Sequence, residues 1–179
     1  MQEDTQLIDR HLVEMLTLAG EYCINIENTE NADPIELKSF LSKISPMLYL
    51  RGILFPLTEE PEEEAAERFV TQEQWENVFN SLRNKFGKED LFNFLDYSSP
   101  SQDEILKGSL AELYADVYQD MKDFVYLMTK NTVLARKYAS YDVKQLFINN
   151  WGPKLLLAQT MLHQIVNKQQ EKEDLSFID

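Results

Sequence analysis

Apolar residues recur along most of this chain at alternating steps of three and four, the spacing that lines one face of an α-helix. Ile8, Leu12, Met15, Ala19, Tyr22, Cys23 and Ile26 form the first such stripe and predict a helix over about residues 4–25. The polar run 27–32 breaks it. Asp33-Pro34 then supplies a capping carboxylate followed by proline at the first helical position, where its missing N–H is harmless. A second helix is expected from there, with a stripe of Ile35, Leu37, Phe40, Leu41, Ile44 and Leu48 that continues from Leu50 to Phe55. Pro46 lies inside it and should kink or split it, and Pro56 marks its end.

Thr71 opens Thr-Gln-Glu-Gln, a capping box with Gln74 at the third helical position, and Trp75, Val78, Phe79, Leu82 and Phe86 form a stripe that stops at Gly87. Residues 91–97 are apolar and aromatic-rich but read as no more than a turn of helix, closed by Ser98-Ser99-Pro100. Ser101 with Glu104 makes a second capping box, leading into the strongest pattern: Ile105, Leu106, Leu110, Leu113, Tyr114, Val117, Tyr118, Met121, Phe124, Val125 and Met128. After a polar break at 130–132, a fifth stripe runs through Leu134, Tyr138, Tyr141, Leu146 and Phe147 to Trp151, where Gly152-Pro153 interrupts it; a sixth covers 155–166. The expectation is an all-α, single-domain helical bundle of about six helices, kinked at Pro46 and broken at Gly152-Pro153. The domain should cover 1–167, with an acidic surface loop at 57–70 and a charged, fraying tail at 168–179.

Composition agrees with this picture and limits the setting. At 179 residues and 44% hydrophobic, the chain has material for one core and little room for two domains. Leucine outnumbers valine and isoleucine together, which favours helices over strands. The single cysteine, Cys23, lies on an apolar stripe and reads as a small buried hydrophobe in a reducing compartment. With no basic leader and no apolar run near the roughly 20 residues that span a bilayer, a cytoplasmic location is expected. Against 31 acids stand 17 bases, a net charge of -14 that opposes direct binding to nucleic acid or to an anionic membrane.

That charge is unevenly placed. Residues 59–67 hold six glutamates and no base. Glu112, Asp116, Asp120 and Asp123 follow at spacings of four, four and three, along one side of the strongest helix. Between 130 and 168 there are six bases and one acid. The bland reading, that the acidic and basic faces compensate each other or face water, is the favoured one. The sharper reading is a divalent-cation site on the four carboxylates.

Catalytic signatures are scarce. A helix-bundle di-metal site needs Glu-x-x-His pairs, but His11 and His163 are preceded at that distance by Ile8 and Thr160. Glu60, Glu63, Glu64 and Glu67 match the Glu-x-x-Glu spacing of magnesium-dependent nucleotide pyrophosphatases, yet inside a proline-containing loop. Phosphate-cradling glycine loops, nucleophile elbows and zinc-peptidase helices are absent from the sequence.

Several segments taken together carry a resemblance: Met47-Leu48-Tyr49-Leu50-Arg51-Gly52-Ile53-Leu54-Phe55-Pro56, Phe69-Val70-Thr71, Tyr114-Ala115-Asp116-Val117-Tyr118-Gln119-Asp120-Met121-Lys122-Asp123-Phe124 and Trp151-Gly152-Pro153-Lys154. The chain resembles the bacterial domain-of-unknown-function family DUF5063, common in Bacteroides-like bacteria, from about Leu7 to Asn167. The resemblance implies a compact, all-helical cytoplasmic protein and supplies no reaction. Asp116, Tyr118, Gln119, Asp120 and Asp123, with Trp151 and Lys154 against them, are the candidate partner- or ligand-binding residues. The expected function is a non-catalytic interaction or accessory module that binds a protein partner, a basic one by charge, through the acidic helix face from Asp116 to Asp123, with the 59–67 loop steering the encounter. It would be a monomer or homodimer with no cofactor and no assigned catalytic residue. The alternative is a divalent-metal hydrolase of a small phosphorylated substrate using Glu112, Asp116, Asp120 and Asp123.

Overall fold

The computed structural model describes residues 2–61, 68–95, 105–130 and 132–176, with side chains placed between 10 and 168 within those ranges. Six α-helices fill most of it: α1 Gln2–Glu27, α2 Pro34–Leu54, α3 Gln72–Phe86, α4 Leu110–Thr129, α5 Val133–Leu146 and α6 Gly152–Ser176. The two N-terminal signals decoded above hold. Asp33 accepts from the backbone N–H groups of Ile35 and Glu36, and Thr71 and Gln74 close a complete capping box. Gly87 ends α3 at φ +56°, a conformation that favours glycine.

Pro46 lies inside α2 without splitting it, and the helix runs from Pro34 to Leu54. Proline removes the donor that would reach Ser42 O one turn back, and Gln159 Nε2 of α6 donates to that oxygen instead, at 3.3 Å. A side chain from the neighbouring helix thus replaces the lost bond. The interruption expected at Gly152-Pro153 takes the form of a widened turn between α5 and α6. The helix widens into a π turn over Phe147–Trp151 and passes directly into α6, Gly152 keeping helical angles of φ −63° and ψ −57°. Widening the turn gives room to the proline ring, which would otherwise crowd the carbonyl one turn earlier.

The segment after α3 departs from the all-helical expectation. Leu91–Leu95 and Ile105–Ser109 form an antiparallel hairpin, β1 and β2, with Phe92 opposite Gly108. Phe92 lies over that glycine, where a Cβ would come within 2.6 Å of its ring. Helix α4 accordingly starts at Leu110 and not before Ile105; the expected cap Ser101, with Glu104, lies outside the described residues. Ser109 is the cap in its place, accepting from Glu112 N at 3.1 Å. Asp90, itself buried, accepts from Ser109 Oγ and Ala111 N and so ties the base of the hairpin to the start of α4.

Helix α4 is the centre of the bundle, packed against α1, α3, α5 and α6. Tyr22, Tyr114, Met121, Leu48, Leu82 and Trp151 are among the fully buried side chains. Among the described residues no helix is long and apolar enough to cross a membrane.

Candidate functional site

The spacing of the α4 acids does set Asp116, Asp120 and Asp123 along one side, but what faces them is protein. Asp116 Oδ1 accepts the indole N–H of Trp75 on α3 at 2.9 Å, and Oδ2 accepts the Lys154 ammonium of α6 at 2.6 Å. Asp120 is 2% exposed; its Oδ2 accepts Asn150 Nδ2 at 2.6 Å and its Oδ1 lies 3.3 Å from Arg68 Nη1. Asp123 Oδ1 accepts the backbone N–H groups of Phe69 and Val70 at 2.9 and 3.0 Å, and Oδ2 lies 3.6 Å from Arg68 Nη1. Three carboxylates therefore hold three elements to α4: α3, the 68–70 segment and the junction of the π turn with α6.

Burial leaves its mark on their chemistry. Desolvation pushes the Asp120 carboxyl up to about 6, against the opposing pull of Asn150 and Arg68. Asp123 is raised for the same reason, with the Val70 and Phe69 N–H groups opposing. On α5, Asp142 is raised too, by desolvation and by the nearby Asp123 charge, with Arg68 opposing. Arg68 is the base that all three carboxyls share.

The other candidates part company. Lys154 joins Asp116 as expected, whereas Trp151 is fully buried and donates its indole N–H to Val143 O at 3.0 Å, away from the acids; its neighbour Asn150 is the residue that reaches them. Gln119 is half-buried and makes no side-chain hydrogen bond among the described residues. Glu112 is exposed at the first turn of α4, in none of these pairings. Of the bases on α5, Lys137 is exposed, and Lys144 bonds the backbone of α2. Among the described residues no three His, Cys, Asp or Glu side chains are grouped to hold a metal ion. The glutamates at 62–64 and 67 lie outside the described residues.

Tyr118 leads elsewhere. Its hydroxyl donates to Glu27 Oε1 at 2.8 Å, and Lys122 Nζ lies 2.5 Å from the same oxygen. Glu27 in turn stands on the wall of an open groove of about 530 Å³. One side is the end of α1 with Glu30 just beyond; the other is α3, which contributes Gln74, Asn77, Asn80, Ser81 and Asn84; Ile26, Val78 and Tyr118 also line it. At about 100° per residue, Asn77, Asn80, Ser81 and Asn84 share one side of α3. None of these four makes a side-chain hydrogen bond among the described residues, so the groove is lined by amides and a hydroxyl with unspent capacity. The sequence signal for this was Asn-x-x-Asn-Ser-x-x-Asn, polar residues at helical spacing, which a search for acids, histidines and glycine loops passes over.

The model of a family described as a domain of unknown function (DUF5063) matches residues 6–168. Among solved structures, the crystal structure of protein BF1032 from Bacteroides fragilis is similar, with 27% identity and a TM-score of 0.77, covering 88% of this chain and 92% of the other. No curated protein matches.

Proposed function

The chain belongs to the DUF5063 family, and we propose that it is a non-catalytic helical module that binds an extended, basic segment of a protein partner in the groove between α1 and α3. The observation that carries this reading is the row Asn77, Asn80, Ser81 and Asn84, whose side chains make no hydrogen bond among the described residues, in the groove that Glu27 and Glu30 also line. A primary amide offers both a donor and an acceptor, the complement of a peptide group.

The two glutamates select for charge. Tyr118 and Lys122 fix Glu27, and Glu30 is exposed beside it, so a lysine or arginine of the ligand would find a carboxylate at the α1 end. The net charge of -14 steers basic partners toward the molecule and repels nucleic acid. Asp116, Asp120 and Asp123 serve this function at one remove, by holding α3 and its neighbours on α4. Trp75 and Lys154 engage Asp116, and the Arg68 guanidinium already stands between Asp120 and Asp123, so the cation position these acids share is taken by an arginine, and nothing favours the hydrolase alternative. A cytoplasmic setting accords with Cys23, buried and with its thiol pushed up to about 12 by desolvation.

Fluorescence anisotropy with labelled peptides of equal length, one lysine- and arginine-rich, one neutral and one acidic, tests the reading. The basic peptide should bind, Asn80→Ala with Asn84→Ala should weaken it about ten-fold, and Glu30→Gln should reduce its salt dependence. Equal binding of all three peptides, or binding indifferent to the asparagines, would remove the groove from the account.

A further inference from the structure

The groove between α1 and α3 holds two carboxylates of unequal standing. Glu27 is the last residue of α1, and its Oε1 accepts the Tyr118 hydroxyl at 2.8 Å with the Lys122 ammonium 2.5 Å away. Both donors come from α4, one turn apart, on the helix against which α1 and α3 pack. Glu30, three residues on in the short helical turn Thr29–Asn31, is exposed and makes no ion pair or side-chain hydrogen bond among the described residues.

Two features favour Lys122 where it stands. Helix α1 carries no base in its last turn, so the ammonium reaching over from α4 supplies the positive charge that the carbonyl end of a helix attracts, and the Glu27 carboxylate adds to that pull. The Lys122 and Glu27 side chains are 26% and 39% exposed, and this partial shielding from water strengthens the pair over a fully solvated one. The other charges nearby leave the balance as it is. Lys85, next to Asn84 on α3, donates to Ala32 O at 2.7 Å, and Glu73 falls on the same side of α3 about one turn before Asn77, outside the groove lining. A ligand thus meets one carboxylate already neutralised and one that is free. A second base brought to Glu27 would have to lie beside the Lys122 ammonium, and like charges in contact repel.

We propose that Lys122 is a specificity-determining residue of the groove: its ammonium occupies Glu27 as a built-in ligand, so the groove reads one basic side chain of the partner by contact, at Glu30, and leaves a second one nothing to pair with. The inference rests on the peptide reading given above and sharpens it, since further bases of the segment gain only from the long-range field of the molecule. Alternate residues of an extended chain point to the same side, so the second base concerned is the one two positions from the first.

Fluorescence anisotropy at about 0.15 M salt, where charges beyond about 8 Å are screened, tests this with three peptides of equal length: neutral, with one arginine, and with two arginines separated by one residue. The wild type should bind the one-arginine peptide about five-fold more tightly than the neutral one and gain less than about two-fold from the second arginine. In Lys122→Met the second arginine should add about five-fold, Glu27→Gln in that background should remove the addition, and Lys122→Arg should restore the wild-type preference. A Lys122 that only holds the fold would leave the ratio of the two arginine peptides unmoved by either substitution. Circular dichroism checks the variants, and if Lys122→Met loses the wild-type spectrum, the wild-type ratio alone decides. An equal gain from each arginine in the wild type overturns this inference and leaves the peptide reading standing, as does a ratio unchanged in a folded Lys122→Met. A wild type that binds none of the peptides, or binds the neutral and basic ones alike, overturns both.

Discussion

The Lys144 ammonium of α5 lies 2.7 Å from the carbonyl oxygen of Gly52 and 3.2 Å from that of Ile53. The last carbonyls of a helix lack intrahelical donors and carry the negative end of its dipole, so a buried cation from a second helix satisfies both needs at once. The Phe147 ring covers the ammonium at 5.1 Å. Lys144→Met keeps the aliphatic stem and removes the donors. It should lower stability by about 2 kcal/mol, read from urea unfolding; an unchanged midpoint would mean that water serves those carbonyls equally well.

Gly52 matters for a second reason. A Cβ there would overlap the Phe147 ring and come within 2.5 Å of Trp151 Cη2, while a Cβ at Gly20 of α1 would meet nothing within 4 Å. Gly52→Ala is therefore expected to destabilise by about 2 kcal/mol or more through overpacking. Gly20→Ala should stabilise by up to about 1 kcal/mol through helix propensity. Paired thermal melts decide it, and equal effects of the two substitutions would contradict the packing described at the α2 to π-turn crossing.

Acid should strengthen the fold in one window. The Asp120 carboxyl stands at about 6 when folded against 3.8 in the free side chain. Between those values the native state binds more protons than the unfolded one, so stability rises as pH falls and is lost as pH rises through 6. Asp123 and Asp142, raised in the same direction, add to the trend. Urea midpoints from pH 7 to pH 4.5 should climb for the wild type and climb less for Asp120→Asn. Identical slopes would show that Asp120 is no harder to ionise in the fold than outside it.

Divalent cations should leave the fold indifferent. Asp116 is held by Trp75 and Lys154, and Arg68 already stands between Asp120 and Asp123, so millimolar magnesium or manganese should not move the melting midpoint. A rise that disappears in Asp116→Asn would return the acids of α4 to candidacy as a metal site.

Much of this architecture was legible in the sequence because helices announce themselves locally. Asp33-Pro34, the Thr71–Gln74 box and the stop at Gly87 are written within a few residues of the structure they cause. That α2 runs on past Pro46 has no local signal, because the bond that Pro46 forfeits is replaced by Gln159, far along the chain. The hairpin was missed because five-residue strands are too short to show a period, and the Ser101–Glu104 pattern drew the helix start too early. Ser109-Leu110-Ala111-Glu112 has the same capping spacing and is the one in use. The α4 acids were correctly placed on one side, but the spacing along a single helix says nothing of what packs against it. Arg68, the sole base between residues 52 and 82, was the available clue to their partner.

The most direct measurement on the central claim is a nitrogen–proton correlation spectrum of the side-chain amides, titrated with the lysine- and arginine-rich peptide. The account predicts that the Asn77, Asn80 and Asn84 amide resonances shift together and saturate with one binding constant, while Asn149, exposed on the π turn, stays in place. Saturating shifts elsewhere on the molecule, with those three amides unmoved, would contradict it.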